Sequence, residues 1–424
     1  MFLFQEWWIL LVMLVLCNYY SSFPTLVQSV EEGSIEDVDF PPMLDSDDIS
    51  YFFENRDLDG LEWALKNVAR RSERNPDPND IVHPLPEQLI ARGGGMTYTT
   101  AYKMRHDLEQ AVHLAETLQD ENEATYFSTV VVPAYRTMLE RIPPLERLER
   151  TQGLYPFNAA DQAATQIHTL YNKALHFSNQ DTLKDDAGNP IPLVNPNLDL
   201  NAIQRQWSGQ DKDKLNHPGI VVVDDVLSAP ALAAIQKVLF ESTVWYQTKT
   251  LNFGGYVGAY LSDGLHDRIL LDLAMELHDQ LPDIFRGHAL KYMWAYKYDS
   301  NYNGIKLHAD QAAVNVNLWV TPDEANLNKE SGGLVIYTAK PPSEWDFKQY
   351  NTDTDFVRQR LLEPAGYANV TVPYKANRVV IFDSALFHQT DHFQFREGYK
   401  NRRINLTLLY GDMQPSQRGS KEEL

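Results

Sequence analysis

The chain has a single cysteine, Cys17, and it lies in an apolar segment near the start. No intramolecular disulfide can form, so any metal site must be built from His, Asp and Glu. Basic charge is also in short supply. Lys and Arg number 37 against 58 Asp and Glu, a formal net charge of −21. That balance excludes the footprint of a nucleic-acid binder and a basic membrane-surface patch. The apolar run Trp7–Leu16 (WWILLVMLVL) is ten residues long, half of the ~20 needed to cross a bilayer as a helix. No internal repeat is visible. What is present is ordinary for a globular chain: 424 residues, 43% hydrophobic and 22% charged, enough for two or three domains.

Both ends carry address-like signals. Trp7–Leu16 suits the h-region of a secretory signal peptide spanning 1–22, with CNYYSS after it to hold a cleavage site. The segment before it lacks Lys and Arg and contains Glu6, a defect that leaves an uncleaved anchor as the alternative. A cleaved signal leaves no stable membrane span. The last four residues, Lys421, Glu422, Glu423 and Leu424, resemble a KDEL-type retention signal with Glu where Asp is usual. Together the two ends predict residence in the lumen of the endoplasmic reticulum and a retention receptor as a partner.

Between these ends the pattern changes twice. Residues 23–50 are acidic and Pro-containing without periodicity, and read as a linker. Residues 51–200 read as helical: Leu108, Ala111, Val112 and Ala115 recur at helical spacing, as do Ile167, Leu170, Tyr171, Ala174 and Leu175. The stretch DDAGNPIPLVNPNLDL (185–200) marks a boundary. From 205 to 424 the period falls to two. GIVVVDDVL reads as a strand, Ser228 and Pro230 start a helix, and KYMWAYKY, AAVNVNLWV, GGLVIYTA, ANVTV, NRVVIF and RRINLTLLYG follow as strands. The expected class is α+β: an all-α N-terminal region, then a jelly roll with supporting helices.

The chemistry-bearing stretch is IKLHADQAAVNVNLWV (305–320), which holds the only His-x-Asp of the chain. On an extended strand, His308 and Asp310 project from one face. His388 lies 80 residues on, after the strand RVVIF, and Arg403 follows 15 residues later at the start of a last strand. Two histidines and one carboxylate form the facial triad of non-haem Fe(II), which leaves three positions open. A dicarboxylic cosubstrate such as 2-oxoglutarate fills two, O2 fills the third, and a guanidinium grips the far carboxylate. Alternation puts Arg403, Asn405 and Thr407 on one face and Arg402, Ile404 and Leu406 on the other. The polar face favours Arg403 over Arg402 as the anchor.

These residues resemble the Fe(II)/2-oxoglutarate-dependent dioxygenases over about 215–415. YKYDSNYNGIKLHAD, VNLWVTPDEANLNKESGGLVIY, VVIFDSALFHQT and RRINLTLLYG carry the resemblance. It implies a double-stranded β-helix, iron on His308, Asp310 and His388, and the C5 carboxylate of 2-oxoglutarate on Arg403 with Asn405 beside it. Tyr298 would hydrogen-bond the cosubstrate. It also implies substrate hydroxylation coupled to oxidative decarboxylation of 2-oxoglutarate, with ascorbate dependence; lumenal residence suggests a side chain of a secretory protein as substrate and leaves glycan or small-molecule oxidation open. The chain departs from the collagen-type prolyl enzymes, which carry Lys at the anchor; here Arg stands there, at a longer spacing. Two other classes compete. A non-catalytic jelly-roll binding module with a helical scaffold would not need the triad. A metal-dependent hydrolase or isomerase on a cupin-like roll would leave Arg403 without a purpose. His392, His266, His278 and His288 read as surface or packed residues. Asn369-Val370-Thr371 and Asn405-Leu406-Thr407 fit the glycosylation pattern.

Overall fold

The computed structural model describes residues 44–74, 97–157, 165–210, 217–251, 254–299, 302–342 and 344–413. The expected signal peptide, most of the acidic linker and the KEEL tail lie outside them. Among the described residues no helix is long and apolar enough to cross a membrane.

Twelve strands are present among the described residues: β1 (Thr97–Thr99), β2 (Tyr155–Phe157), β3 (Ile220–Val223), β4 (Gln247–Lys249), β5 (Tyr256–Tyr260), β6 (Leu290–Tyr298), β7 (Val314–Trp319), β8 (Leu334–Tyr337), β9 (Asn369–Val372), β10 (Arg378–Asp383), β11 (His388–Thr390) and β12 (Arg403–Tyr410). Seven form one sheet in the order β3-β10-β7-β12-β6-β5-β4, and β11-β8-β9 form a smaller one. Every pair in these two sheets is antiparallel.

Period-two alternation assigns each face of the large sheet. Val314, Val316 and Leu318 of β7 and Ile404, Leu406 and Leu408 of β12 join the core that helices Ala229–Glu241 and Arg268–Gln280 cover. The alternate residues, Tyr256, Tyr296, Tyr298, Trp319, Val380 and Phe382, form a second core with Leu334, Ile336 and Val372 of the small sheet. This two-layer roll leaves the second face free to line a site. Its tightest point is Gly333. A Cβ there would lie 1.9 Å from the Val372 carbonyl oxygen and 2.7 Å from the Trp319 ring, so only glycine lets the small sheet close onto the large one.

The N-terminal half departs from the all-α expectation. β1 and β2 pair there. The stripe from Ile167 to Leu175 is helical only over Thr165–His168; Ile167, Leu170, Tyr171 and Leu175 still join the core of Met104, Phe127 and Tyr135. The first helix, Ser46–Glu54, begins inside the expected linker. Asp45 caps it, accepting from the backbone N–H of Asp47 and Asp48, a signal that the acidic composition hid. Its Ile49 and Phe53 join the main core, as do Leu58, Leu61 and Leu65 of helix Leu58–Arg74. Helix Ala101–Thr117 buries a polar face: Lys103 pairs with Asp107, and Gln110 donates to the Phe240 carbonyl at 3.0 Å.

Candidate active site

His308, Asp310 and His388 converge, with one ligand atom from each within 4.8 Å of the others. The expected strand through His308 and Asp310 is reduced to a single bridge. His308 donates its N–H to the His388 carbonyl at 3.0 Å, and its carbonyl accepts from the His388 N–H at 2.8 Å. The Asp310 N–H donates to the Ser384 carbonyl at 3.2 Å. Asn351 clamps the residue between the ligands. Its Oδ1 accepts from Ala309 N at 2.8 Å, and its Nδ2 donates to the Ala309 carbonyl at 2.9 Å. Ala309 packs beneath with Leu307, Tyr350 and Phe387. The ligand segment is thus held by its backbone, which leaves its side chains free for the site.

The protons of both imidazoles are fixed. His308 Nδ1 lies 2.8 Å from the Lys306 carbonyl and His388 Nδ1 lies 3.1 Å from the Leu386 carbonyl. A carbonyl can only accept, so each Nδ1 carries the hydrogen and each Nε2 keeps its lone pair. Those Nε2 atoms face Asp310 at 3.7 and 3.4 Å. Burial, then the neighbouring His388, holds the His308 pKa down at about 4. Burial alone would push the Asp310 carboxyl up, but the two facing imidazoles and the Asn315 amide outweigh it and hold the carboxyl below its usual value. A neutral His308 and an ionised Asp310 are the states that a metal binds.

The triad opens into a cavity of about 530 Å³ that Tyr298, Asn405 and Arg403 also line. Arg403 stands opposite Tyr298 across β12 and β6, with its guanidinium 4.8 Å from that ring. Arg403 is 1% exposed. It donates Nε to the Gly332 carbonyl at 2.7 Å and Nη2 to the Gly333 carbonyl at 3.2 Å, and its Nη1 has no partner among the described residues. Arg402 points the other way, donating to Glu109 at 2.8 Å and to Asp299 at 3.5 Å. The cavity therefore receives Arg403. His392 is exposed and lies outside the metal-ligand cluster. Asn369 is exposed, whereas Asn405 is buried.

The sequence reading noticed the asparagines of β7 only as the polar side of a strand. In the structure they form a chain of hydrogen bonds. Asn405 Nδ2 donates to Asn317 Oδ1 at 2.8 Å, Asn317 donates to Asn315, and Asn315 donates to Asp310 Oδ2. One amide relay therefore joins the strand of Arg403 to the carboxylate of the triad. Asn is depleted in strand interiors, and two at alternate positions of a buried strand were the available signal. Replacing Asn315 with Ala is expected to lower metal affinity by ~10- to 100-fold, the usual cost of losing an outer hydrogen bond to a ligand. Calorimetric titration with Co(II) measures it, and wild-type affinity would show that Asp310 is aligned without Asn315.

Comparison with known proteins gives the following. No family model matches the sequence, and no curated protein matches it. Solved structures that match part of the chain include a non-heme alpha-ketoglutarate-dependent carbocyclase from nogalamycin biosynthesis, at 13% identity over 52% of this chain and 87% of that one, TM-score 0.37. A prolyl hydroxylase from Trichoplax adhaerens, in complex with a peptide fragment, shows 15% identity over 53% of this chain and 93% of that one, TM-score 0.33. A Streptomyces hygroscopicus protein with nickel, 2-oxoglutarate and hygromycin B bound shows 12% identity over 46% and 83%, TM-score 0.31. At this level of likeness the functional reading rests on the site's own geometry.

Proposed function

We propose that this chain is a non-haem Fe(II)- and 2-oxoglutarate-dependent dioxygenase that hydroxylates its substrate. One observation carries the reading. A cluster of two histidines and one aspartate, with both Nε2 lone pairs free, shares its cavity with a buried arginine whose Nη1 lacks a partner among the described residues. The donor set is nitrogen and oxygen, as Fe(II) of this class requires. His308 and His388 would hold the metal through Nε2, and Asp310 through a carboxylate oxygen. The metal would supply activation of O2, coupled to oxidation of the cosubstrate.

The chain's own residues do the rest. Arg403 completes its hydrogen bonds on the far carboxylate of 2-oxoglutarate, and Gly332 and Gly333 fix its fork beforehand. Asn405 holds the relay to Asp310. Tyr298, whose hydroxyl burial pushes up to about 12, stays protonated and donates a hydrogen bond to the cosubstrate. The tyrosine-rich wall excludes water from the reacting centre. A non-catalytic module has no use for three aligned ligands, and a hydrolase has none for Arg403.

The terminal motifs support residence in the lumen of the endoplasmic reticulum through a cleaved signal and a retention receptor. Lumenal residence in turn supports a secretory polypeptide as substrate, and the family resemblance alone supports ascorbate as the reductant. The test is succinate formation from 2-oxoglutarate by the purified chain with Fe(II) and O2, with and without ascorbate. Slow turnover without added substrate is expected. No succinate, together with no measurable 2-oxoglutarate binding, would sink the reading.

A further inference from the structure

A fold normally leaves no buried cation without a partner, because stripping an ammonium or guanidinium of water is costly. The described residues obey this rule outside the cavity. Lys103 pairs with Asp107, Arg402 pairs with Glu109, and Lys297 donates to the Tyr399 hydroxyl at 2.6 Å. Two further buried cations line the cavity, and neither has an ion pair among the described residues. One is Arg403. The other is Lys249, on the edge strand β4, 7% exposed. Among the described residues it has neither an ion pair nor a hydrogen-bond acceptor for its ammonium, which lies 5.3 Å from the Tyr260 ring centre.

Sheet register places the two cations in one row. Lys249 stands opposite Tyr256, Tyr256 opposite Tyr298, and Tyr298 opposite Arg403. Directly opposed residues share a face of the sheet. Three strand spacings separate the row's ends, about 14 Å between backbones. Tyr256 and Tyr298, with ring centroids 5.1 Å apart, form the floor between them. The N-terminal half braces the Lys249 end: the Tyr102 hydroxyl, on helix Ala101–Thr117, donates to the Lys249 carbonyl.

Resting on the oxygenase reading, we infer that Lys249 is a substrate-recognition residue and that the substrate is a carboxylate carried on an apolar or aromatic frame. The frame lies along the tyrosine row and the carboxylate receives the Lys249 ammonium. Arg403, at the opposite end, is left for the cosubstrate. A neutral substrate would leave Lys249 buried and unpaired when water is expelled.

The test uses the full chain loaded with Co(II) and saturating 2-oxoglutarate, so that the Arg403 end is filled. N-acetyl-L-phenylalanine and its neutral amide are titrated by calorimetry. The carboxylate is expected to bind about 10- to 100-fold more tightly, the range of a charge-assisted hydrogen bond. Lys249→Gln abolishes the preference and Lys249→Arg retains it. Thermal melting checks that the Gln variant is folded. On the wild-type protein, the carboxylate but not the amide shields the Lys249 amine from reductive methylation, read by peptide mass. Equal affinities, no binding of the carboxylate, or a preference that survives in Lys249→Gln would overturn the inference. The same titration without metal and cosubstrate separates the two readings. A Lys249-dependent preference in a protein that binds no 2-oxoglutarate keeps the anion subsite and sinks the oxygenase. Cosubstrate binding without the preference does the reverse.

Discussion

Replacing His308 with Ala is expected to lower the affinity for Fe(II), or for Co(II) as a stable substitute, by about 100-fold or more. The loss of an outer hydrogen bond to a ligand already costs ~10- to 100-fold, and a first ligand costs at least the upper end of that range. The reasoning is local. His308 presents Nε2 as a lone pair because Nδ1 is committed to the Lys306 carbonyl. Its pKa of about 4 means that protons do not compete for that lone pair at neutral pH. Its side chain lines the cavity and is 25% exposed, so truncation enlarges an existing space rather than opening a closed void. The backbone pairing with His388 and the Asn351 clamp on Ala309 do not involve the imidazole, so the loop keeps its shape. Metal titration by calorimetry, with a melting curve of the metal-free protein alongside, reads the two quantities separately. A variant that melts like the wild type and still binds metal as well would remove His308 from the ligand set.

How far the sequence carries this site depends on what kind of contact builds each part. Spacing singled out His308, Asp310, His388 and Arg403; the structure brings the first three together and lines the same cavity with Arg403, although the strand expected through His308 and Asp310 is only a single bridge. Alternation also separated Arg403 from Arg402, and the structure sends the two side chains to opposite sides of the sheet. Seven strand segments named from their period match β3, β6, β7, β8, β9, β10 and β12. The strands that went unseen, β1, β2, β4, β5 and β11, are three to five residues long and owe their conformation to pairing rather than to composition. With β4 and β5 unseen, Lys249, Tyr256 and Tyr260 were out of reach, and so was one end of the cavity. Asn351 was equally hidden: it comes from helix Phe347–Thr352, 42 residues from the backbone that it holds. Tertiary contacts of this kind leave no local trace.

Arg403→Met tests the other end of the cavity, and it is expected to raise the dissociation constant for 2-oxoglutarate by roughly 30- to 5000-fold. That is the ~2–5 kcal/mol lost when one partner of a buried, hydrogen-bonded charge pair is removed. Met keeps the length and apolar bulk of the stem against Tyr298 and Trp319, so the packing of both rings survives. The Gly332 and Gly333 carbonyls lose a donor each, which adds a stability cost that melting curves would separate from the binding loss. Arg403→Lys is expected to fall between the wild type and Met, because an ammonium keeps the charge but not the planar fork. The neighbouring Arg402 supplies the control. Arg402→Met breaks the contacts to Glu109 and Asp299 on the opposite face of the sheet. It should therefore lower the melting temperature while cosubstrate affinity stays within a few-fold of the wild type. The reverse pattern, with affinity lost in Arg402→Met and kept in Arg403→Met, would mean that the cosubstrate binds outside this cavity. Loss in neither variant would mean that the unpartnered Nη1 of Arg403 is satisfied by water rather than by a dicarboxylate.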